Sequence, residues 1–413
     1  MIKSSPIKLV SQVQCPNCSN SFRPENIRFI SEHPSMLGDP IAGPMEGLRF
    51  RSSRFDRHGN ALDMCERICT RVACPQCHIE MPRALLEART CFVSVVGAPG
   101  SGKSCLLGAA SWSLRKCASQ YGLSWIDVEP RLNVLLHDYE TGLFLGTNGT
   151  SRKPLKTDLH GAVWYNQIRV GSRVEITPKP MFFEVTRDAV GEATEAETNE
   201  EGNLVRSTGA SNRATPSILV LYDNAGEHFQ PVAENAEPPY TRHLGRAQAL
   251  LFVFDPTQTH STEQSHRQDL ILIEAMARVR RYRGLGSDSS IGVPLIVALT
   301  KADLWAKRIG LELSSKPIRP GNDVRLDRAL IEQVSSHAGA FMAELFPELV
   351  QALGAFVEKV HWIPCSAFKT DVVDGPGKET IRPESEWAEV PLLMALSEAT
   401  ESQDQESTWP TKL

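Results

Sequence analysis

The eight residues from Gly97 to Ser104, GAPGSGKS, fit G-x-x-x-x-G-K-S. They directly follow an apolar run at 91–96 (CFVSVV) and precede a helix-forming stretch, the setting in which such a loop cradles phosphate. Gly97, Gly100 and Gly102 let the backbone curl, so that successive N–H groups around Ser101 point inward at an anion. The positive end of the following helix acts on the same point. Lys103 is placed to reach β- and γ-phosphates, and the Ser104 hydroxyl to ligate Mg²⁺.

Three later segments carry complementary chemistry. Asp223-Asn224-Ala225-Gly226 closes the apolar run 217–222 as D-x-x-G. An aspartate at a strand end can hold Mg²⁺ through water, and Gly226 can offer its N–H to a γ-phosphate. Thr300-Lys301-Ala302-Asp303 closes the run 294–299. A carboxylate only accepts hydrogen bonds, so Asp303 suits the N1–H and 2-amino group of guanine. Adenine would leave it desolvated and unpaired, a penalty of about 1–3 kcal/mol or more. The Lys301 stem can cover the base face. Cys365-Ser366-Ala367 follows the run 360–364, where a backbone N–H can meet guanine O6.

A different chemistry is written near the start. Cys15-Pro16-Asn17-Cys18 and Cys74-Pro75-Gln76-Cys77 are two C-P-x-C knuckles, whose four thiolates can close a tetrahedral Zn²⁺ site. Structural zinc is the expected role, stapling turns that lack a core of their own. Cys65 and Cys69, four apart and so one helical turn, read as buried thiols in preference to a second partial site, and Cys105 and Cys117 as core positions.

The elements that must position these residues follow from apolar patterning. Short buried strands are expected at 91–96, 217–222, 249–254, 294–299 and 360–364. Helices are expected at 104–120, 263–282, 327–353 and 391–399. The alternation predicts an α/β fold, a doubly wound and mostly parallel sheet with a small N-terminal zinc-binding module. The expected organisation is a zinc-ribbon-like module at 1–88, a nucleotide-binding domain at 89–400 and a disordered tail at 401–413. An insertion at about 133–214 carries short strands at 164–169 and 181–186 and a glutamate-rich surface loop at 191–202. Asp255-Pro256 reads as a strand-end turn, and Asp138-Tyr139-Glu140 shows no paired acid–base logic.

Composition bounds the partners. Apolar residues make up 41% and charged residues 23% of the 413, with a formal charge of −5. These are globular values, and the charge balance argues against a mainly electrostatic nucleic-acid binder. No apolar run approaches the roughly 18 residues that span a bilayer, so no membrane partner is expected and a cytoplasmic location is the default.

Taken in order, G-x-x-x-x-G-K-S, D-x-x-G, T-K-x-D and S-A, each at a strand end, resemble the nucleotide motifs of Ras-like (TRAFAC-type) P-loop GTPases. With the paired cysteines and the segment RAQALLFVFDPTQ at 246–258, the chain is similar to the double-GTPase group of bacterial conflict-system GTPases. The resemblance implies binding of GTP with Mg²⁺, hydrolysis to GDP and phosphate, and a regulatory role beside an effector or activating protein partner. It implies a switch threonine completing the Mg²⁺ shell, for which Thr157 is preferred over Thr177 by element order. Where the family often carries a glutamine that orients the attacking water, Glu227 and His228 stand instead. Slow unaided turnover is therefore expected, with Arg242 and Arg246 as candidate cationic helpers and more commonplace as solvated surface residues. The rival readings are an ATPase or nucleotide kinase, and a zinc-containing scaffold that binds GTP without turnover.

Overall fold

The computed structural model describes residues 8–145, 164–170, 173–187, 216–229, 239–258, 267–319, 325–372, 379–382 and 384–406. Seven strands form its central sheet: β1 (Arg89–Gly97), β2 (Leu123–Asp127), β3 (Pro180–Arg187), β4 (Ser217–Asp223), β5 (Ala249–Phe254), β6 (Leu295–Leu299) and β7 (Val360–Pro364). They lie in the order β2-β3-β4-β1-β5-β6-β7. From β4 to β7 all pairs are parallel, while β3 is antiparallel to both β2 and β4. Every residue of β5 and β6 is buried, because layers cover both faces of these central parallel strands. The fold is a P-loop type α/β sheet.

The flanking helices are α1 (Lys103–Cys117), α2 (Val134–Phe144), α3 (Gln268–Tyr282), α4 (Arg328–Leu345), α5 (Pro347–Gly354) and α6 (Val390–Glu406). The single helix expected over 327–353 is two, since Pro347 opens α5 and cannot continue α4. The last helix runs through Glu406, so residues expected to start a tail are helical. The insertion region contributes α2, β3 and a hairpin of Tyr165–Val170 with Arg173–Pro178, more structure than its sequence suggested. The glutamate-rich run at 191–202 and Thr157 lie outside the described residues.

Before β1 the chain builds small hairpins. Val13–Gln14 pairs with Ser21–Phe22 across the first cysteine knuckle, and Val72–Ala73 with Glu80–Met81 across the second. Such short strands bury little by themselves. Their apolar residues, with Cys15, Cys74 and Cys77, share one cluster with Phe92, Phe182, Ile218, Val220 and Tyr222 of the central sheet. Alternation along β4 explains this: Ile218, Val220 and Tyr222 face the cysteine module, while Leu219 and Leu221 face the main core. Cys65 and Cys69 sit on the hairpin Ala61–Leu62/Ile68–Cys69 rather than on a helical turn. Cys69 is buried, whereas Cys65 is exposed.

Candidate functional site

β1 lies between β4 and β5, where the strand order reverses, so a crevice opens outside its carboxyl end. The loop after β1 fills that crevice. Gly100 and Gly102 take φ of +78° and +90°, values that a side chain would strain, and α1 starts immediately at Lys103. Lys103 is buried and its Nζ lies 2.9 Å from Asp223 Oδ1 at the end of β4. Gly226 packs directly on the loop: a Cβ there would stand 2.7 Å from Pro99 Cδ and closer still to the Gly97 carbonyl. The D-x-x-G turn and the phosphate loop therefore meet.

From the other side, Thr300 Oγ1 donates to the Ser101 carbonyl at 2.8 Å, which docks the T-K-x-D turn against the same loop. Ser366 Oγ lies 2.6 Å from Asp303 Oδ1, and the Ala302 N–H bonds to the Cys365 carbonyl, so the strand ends of β6 and β7 hold each other. The four separated motifs converge on one crevice. Ser104, at the start of α1, is half-buried beside Lys103.

Two residues at this site escaped the sequence reading. Asp255 is fully buried and forms an ion pair with Lys301, while its other oxygen accepts from Thr257 N and Oγ1 at 2.9 and 2.6 Å. What reads as a plain turn is the anchor of the lysine expected over the base. Tyr139 is also buried, and its hydroxyl donates to Asp223 Oδ2 at 2.9 Å. It arrives on α2, which packs close to α1 because Gly108 lacks a Cβ that would stand 2.9 Å from Leu143 Cδ1 and 3.1 Å from Tyr139 Cβ. Only that close approach could have flagged Tyr139, and nothing in the local sequence shows it. Tyr139→Phe is expected to weaken Mg²⁺-dependent nucleotide binding roughly fivefold, about one hydrogen bond, with the melting temperature little changed. A Mg²⁺ titration of nucleotide binding checks it.

The remaining candidates sit elsewhere or turn inward. The His228 ring is buried, edge-on to Tyr165 at 5.5 Å. Glu227 is the second residue of the same short 3₁₀ turn, Gly226–Phe229. Arg242 is exposed and bonds both oxygens of Glu175 at 3.0 Å. Thr177 is buried in the hairpin and lines a cavity of about 410 Å³ with Pro16, Tyr222, Arg242 and Arg246, beside the cysteine module. Three arginines at the C-terminal end of α3 bond backbone carbonyls: Arg278 that of His228, Arg280 those of Ser289 and Ala355, and Arg283 that of Ala247.

At the knuckles the ligand atoms of Cys15, Cys18, Cys74 and Cys77 all lie within 4.8 Å of one another. The Asn17 and Gln76 N–H groups donate to Cys15 and Cys74 Sγ at 3.4 and 3.3 Å, as backbone donors do toward thiolates that bind metal. Burial raises the Cys15 thiol, whereas hydrogen bonds from Cys15 and then Cys74 hold Cys18 low. Four sulfurs this close cannot all ionise without a cation, and soft thiolates in fours fit Zn²⁺.

The crevice, its loop and its strand-end residues define a P-loop α/β nucleotide-site architecture. Residues 194–353 match the family model Double-GTPase 2, which supports the double-GTPase P-loop group and a GTPase-type function. The matched stretch includes Asp223, Gly226 and the T-K-x-D turn. No curated protein gives a match. Among the described residues, no helix is long and apolar enough to cross a membrane.

Proposed function

We propose that this chain binds GTP with Mg²⁺ in the β1 crevice and hydrolyses it slowly to GDP and phosphate, acting as a regulatory switch. The observation that carries the reading is the meeting of Lys103–Asp223 with Ser101–Thr300 and Asp303–Ser366 around one loop. Lys103 and the loop N–H groups, Ser101's among them, would take the phosphates. Ser104 and Asp223, the latter oriented by Tyr139, would hold Mg²⁺. Asp303, with Thr300 bracing its turn, would read the guanine edge and Lys301 its face. The Ser366 N–H is bonded to the Glu386 carbonyl, so O6 falls to the Ala367 N–H.

Thr157 remains the proposed switch threonine, since Thr177 sits at the cysteine module's cavity. The same arrangement supports slow turnover. His228 is packed against Tyr165 and Arg242 is engaged by Glu175, so a protein partner would supply the missing charge or water-positioning group. Cys15, Cys18, Cys74 and Cys77 would hold structural Zn²⁺, in a reducing cytoplasm. The family resemblance extends this to a regulator of an effector in a bacterial conflict system.

The test is nucleotide binding and phosphate release on one sample. Micromolar or tighter GTP binding is expected, with ATP competing poorly, phosphate released slowly, and Lys103→Ala weakening GTP at least about a hundredfold. Preferential ATP binding would mark an ATPase or kinase. Tight GTP binding with no phosphate release would mark a scaffold.

A further inference from the structure

The first cysteine knuckle is joined to the D-x-x-G turn by an unbroken buried path. The Tyr222 hydroxyl donates to the Pro16 carbonyl at 2.6 Å, and Pro16 sits inside the loop closed by Cys15 and Cys18. The Tyr222 ring stacks on His243 with centroids 4.5 Å apart and planes 18° from parallel. His243 lies 2.9 Å from Asn224 Nδ2 at Nε2 and 2.7 Å from Ser94 Oγ at Nδ1. A neutral imidazole serves both, accepting from Asn224 and donating to the serine of β1. Ser94, Tyr222, Asn224 and His243 are all buried. The same knuckle reaches the hairpin too, where Asn166 Nδ2 donates to Asn17 Oδ1 at 2.8 Å.

We infer that Tyr222 and His243 are positioning residues for the D-x-x-G turn, set from the metal knuckle, so that metal at the four cysteines and nucleotide at the crevice strengthen each other's hold. The inference rests on the nucleotide reading above. Its physical basis is strand alternation: Tyr222 and Asp223 are neighbours on opposite faces of β4, so whatever fixes the phenol on the knuckle side fixes the carboxylate on the phosphate side. Asn224, the next residue, is held by His243. A knuckle organised by metal presents the Pro16 carbonyl at one place, and a knuckle without it does not. Coupling of this kind is reciprocal.

The experiment measures zinc release from the full-length protein, with a thiol-directed mercurial and a chromogenic chelator, without nucleotide and with Mg²⁺–GTP or Mg²⁺–GDP. Mg²⁺–GTP is expected to slow release about fivefold or more, the lower range of such couplings. Tyr222→Phe, which keeps the ring stack and loses only the hydroxyl, and His243→Leu are expected to bring the ratio of the two rates near one while still binding GTP. His243→Gln, which can still accept from Asn224, is expected to restore part of the effect. Equal release rates in the unaltered protein with GTP bound, or an undiminished ratio in Tyr222→Phe, would overturn the coupling and leave the nucleotide reading intact. No binding of GTP to the unaltered protein would instead overturn the nucleotide reading, and the coupling with it. A variant that fails to fold reveals itself by a lost cooperative melt, and Tyr222→Phe, which preserves volume, then decides.

Discussion

Replacing Asp303 by asparagine is expected to exchange guanine for xanthine as the preferred base, weakening GTP by about 10²–10⁴-fold. The carboxylate offers two acceptors to two donors of guanine, and hydrogen bonds to a charged group contribute about 1.5–3 kcal/mol each. Asparagine loses one acceptor, weakens the other by removing its charge and turns an N–H against the 2-amino group, which at about 1.4 kcal/mol per tenfold gives that range. An amide presents one acceptor and one donor, the complement of xanthine's N1–H and 2-oxo group. The substitution is isosteric and keeps an oxygen for the Ser366 hydroxyl now 2.6 Å from Oδ1, so the turn should survive. Competition of guanosine, adenosine and xanthosine triphosphates for one fluorescent nucleotide measures the exchange. Unchanged GTP affinity, with xanthosine triphosphate no better bound, would remove Asp303 from the base site.

The second large effect concerns the cysteines. One zinc per chain is expected. Chelation, or Cys74→Ser, should lower the melting temperature by more than about 10 °C, given the about 10 kcal/mol or more that structural zinc contributes to small modules. The loss reaches the central sheet, because the knuckles share their apolar cluster with Phe92, Phe182, Ile218, Val220 and Tyr222. Released knuckles would leave that face of β1, β3 and β4 wet. Cys65→Ser is the control: the thiol is exposed, so a change within about 0.5 kcal/mol is expected. Metal analysis with thermal melts checks both. A metal-free protein, or a Cys74→Ser variant that melts like the unaltered chain, would refute zinc stapling.

Much of the fold is legible in the sequence because the parallel strands are largely apolar and closed by chemically distinctive turns. Residues 249–254 and 360–364 match β5 and β7 as observed. The two C-P-x-C pairs are legible for a similar reason, since the spacing within each pair brings its two sulfurs together. What escapes is set by contacts between distant segments. Leu123–Asp127 is too mixed in character to announce itself, and becomes β2 by pairing with β3 and burying Trp125 against Phe183. Tyr139 and Asp255 look ordinary locally, and their roles exist only once α2 lies on α1 and Lys301 arrives from β6. The break at Phe346 is a different miss. Apolar periodicity continues across it, and Pro347 carries the contrary signal.

The placing of α6 bears on how this chain comes off the ribosome. Residues 390–406 pack against β1, β5 and β6, strands made as much as three hundred residues earlier. Glu389, just before α6, is buried and takes hydrogen bonds from the Tyr121 hydroxyl and Lys316. Until that segment has cleared the exit tunnel, the middle of the sheet keeps one greasy flank uncovered. The strand bearing the phosphate loop then waits in a half-finished molecule, the stage at which nascent chains most need chaperones.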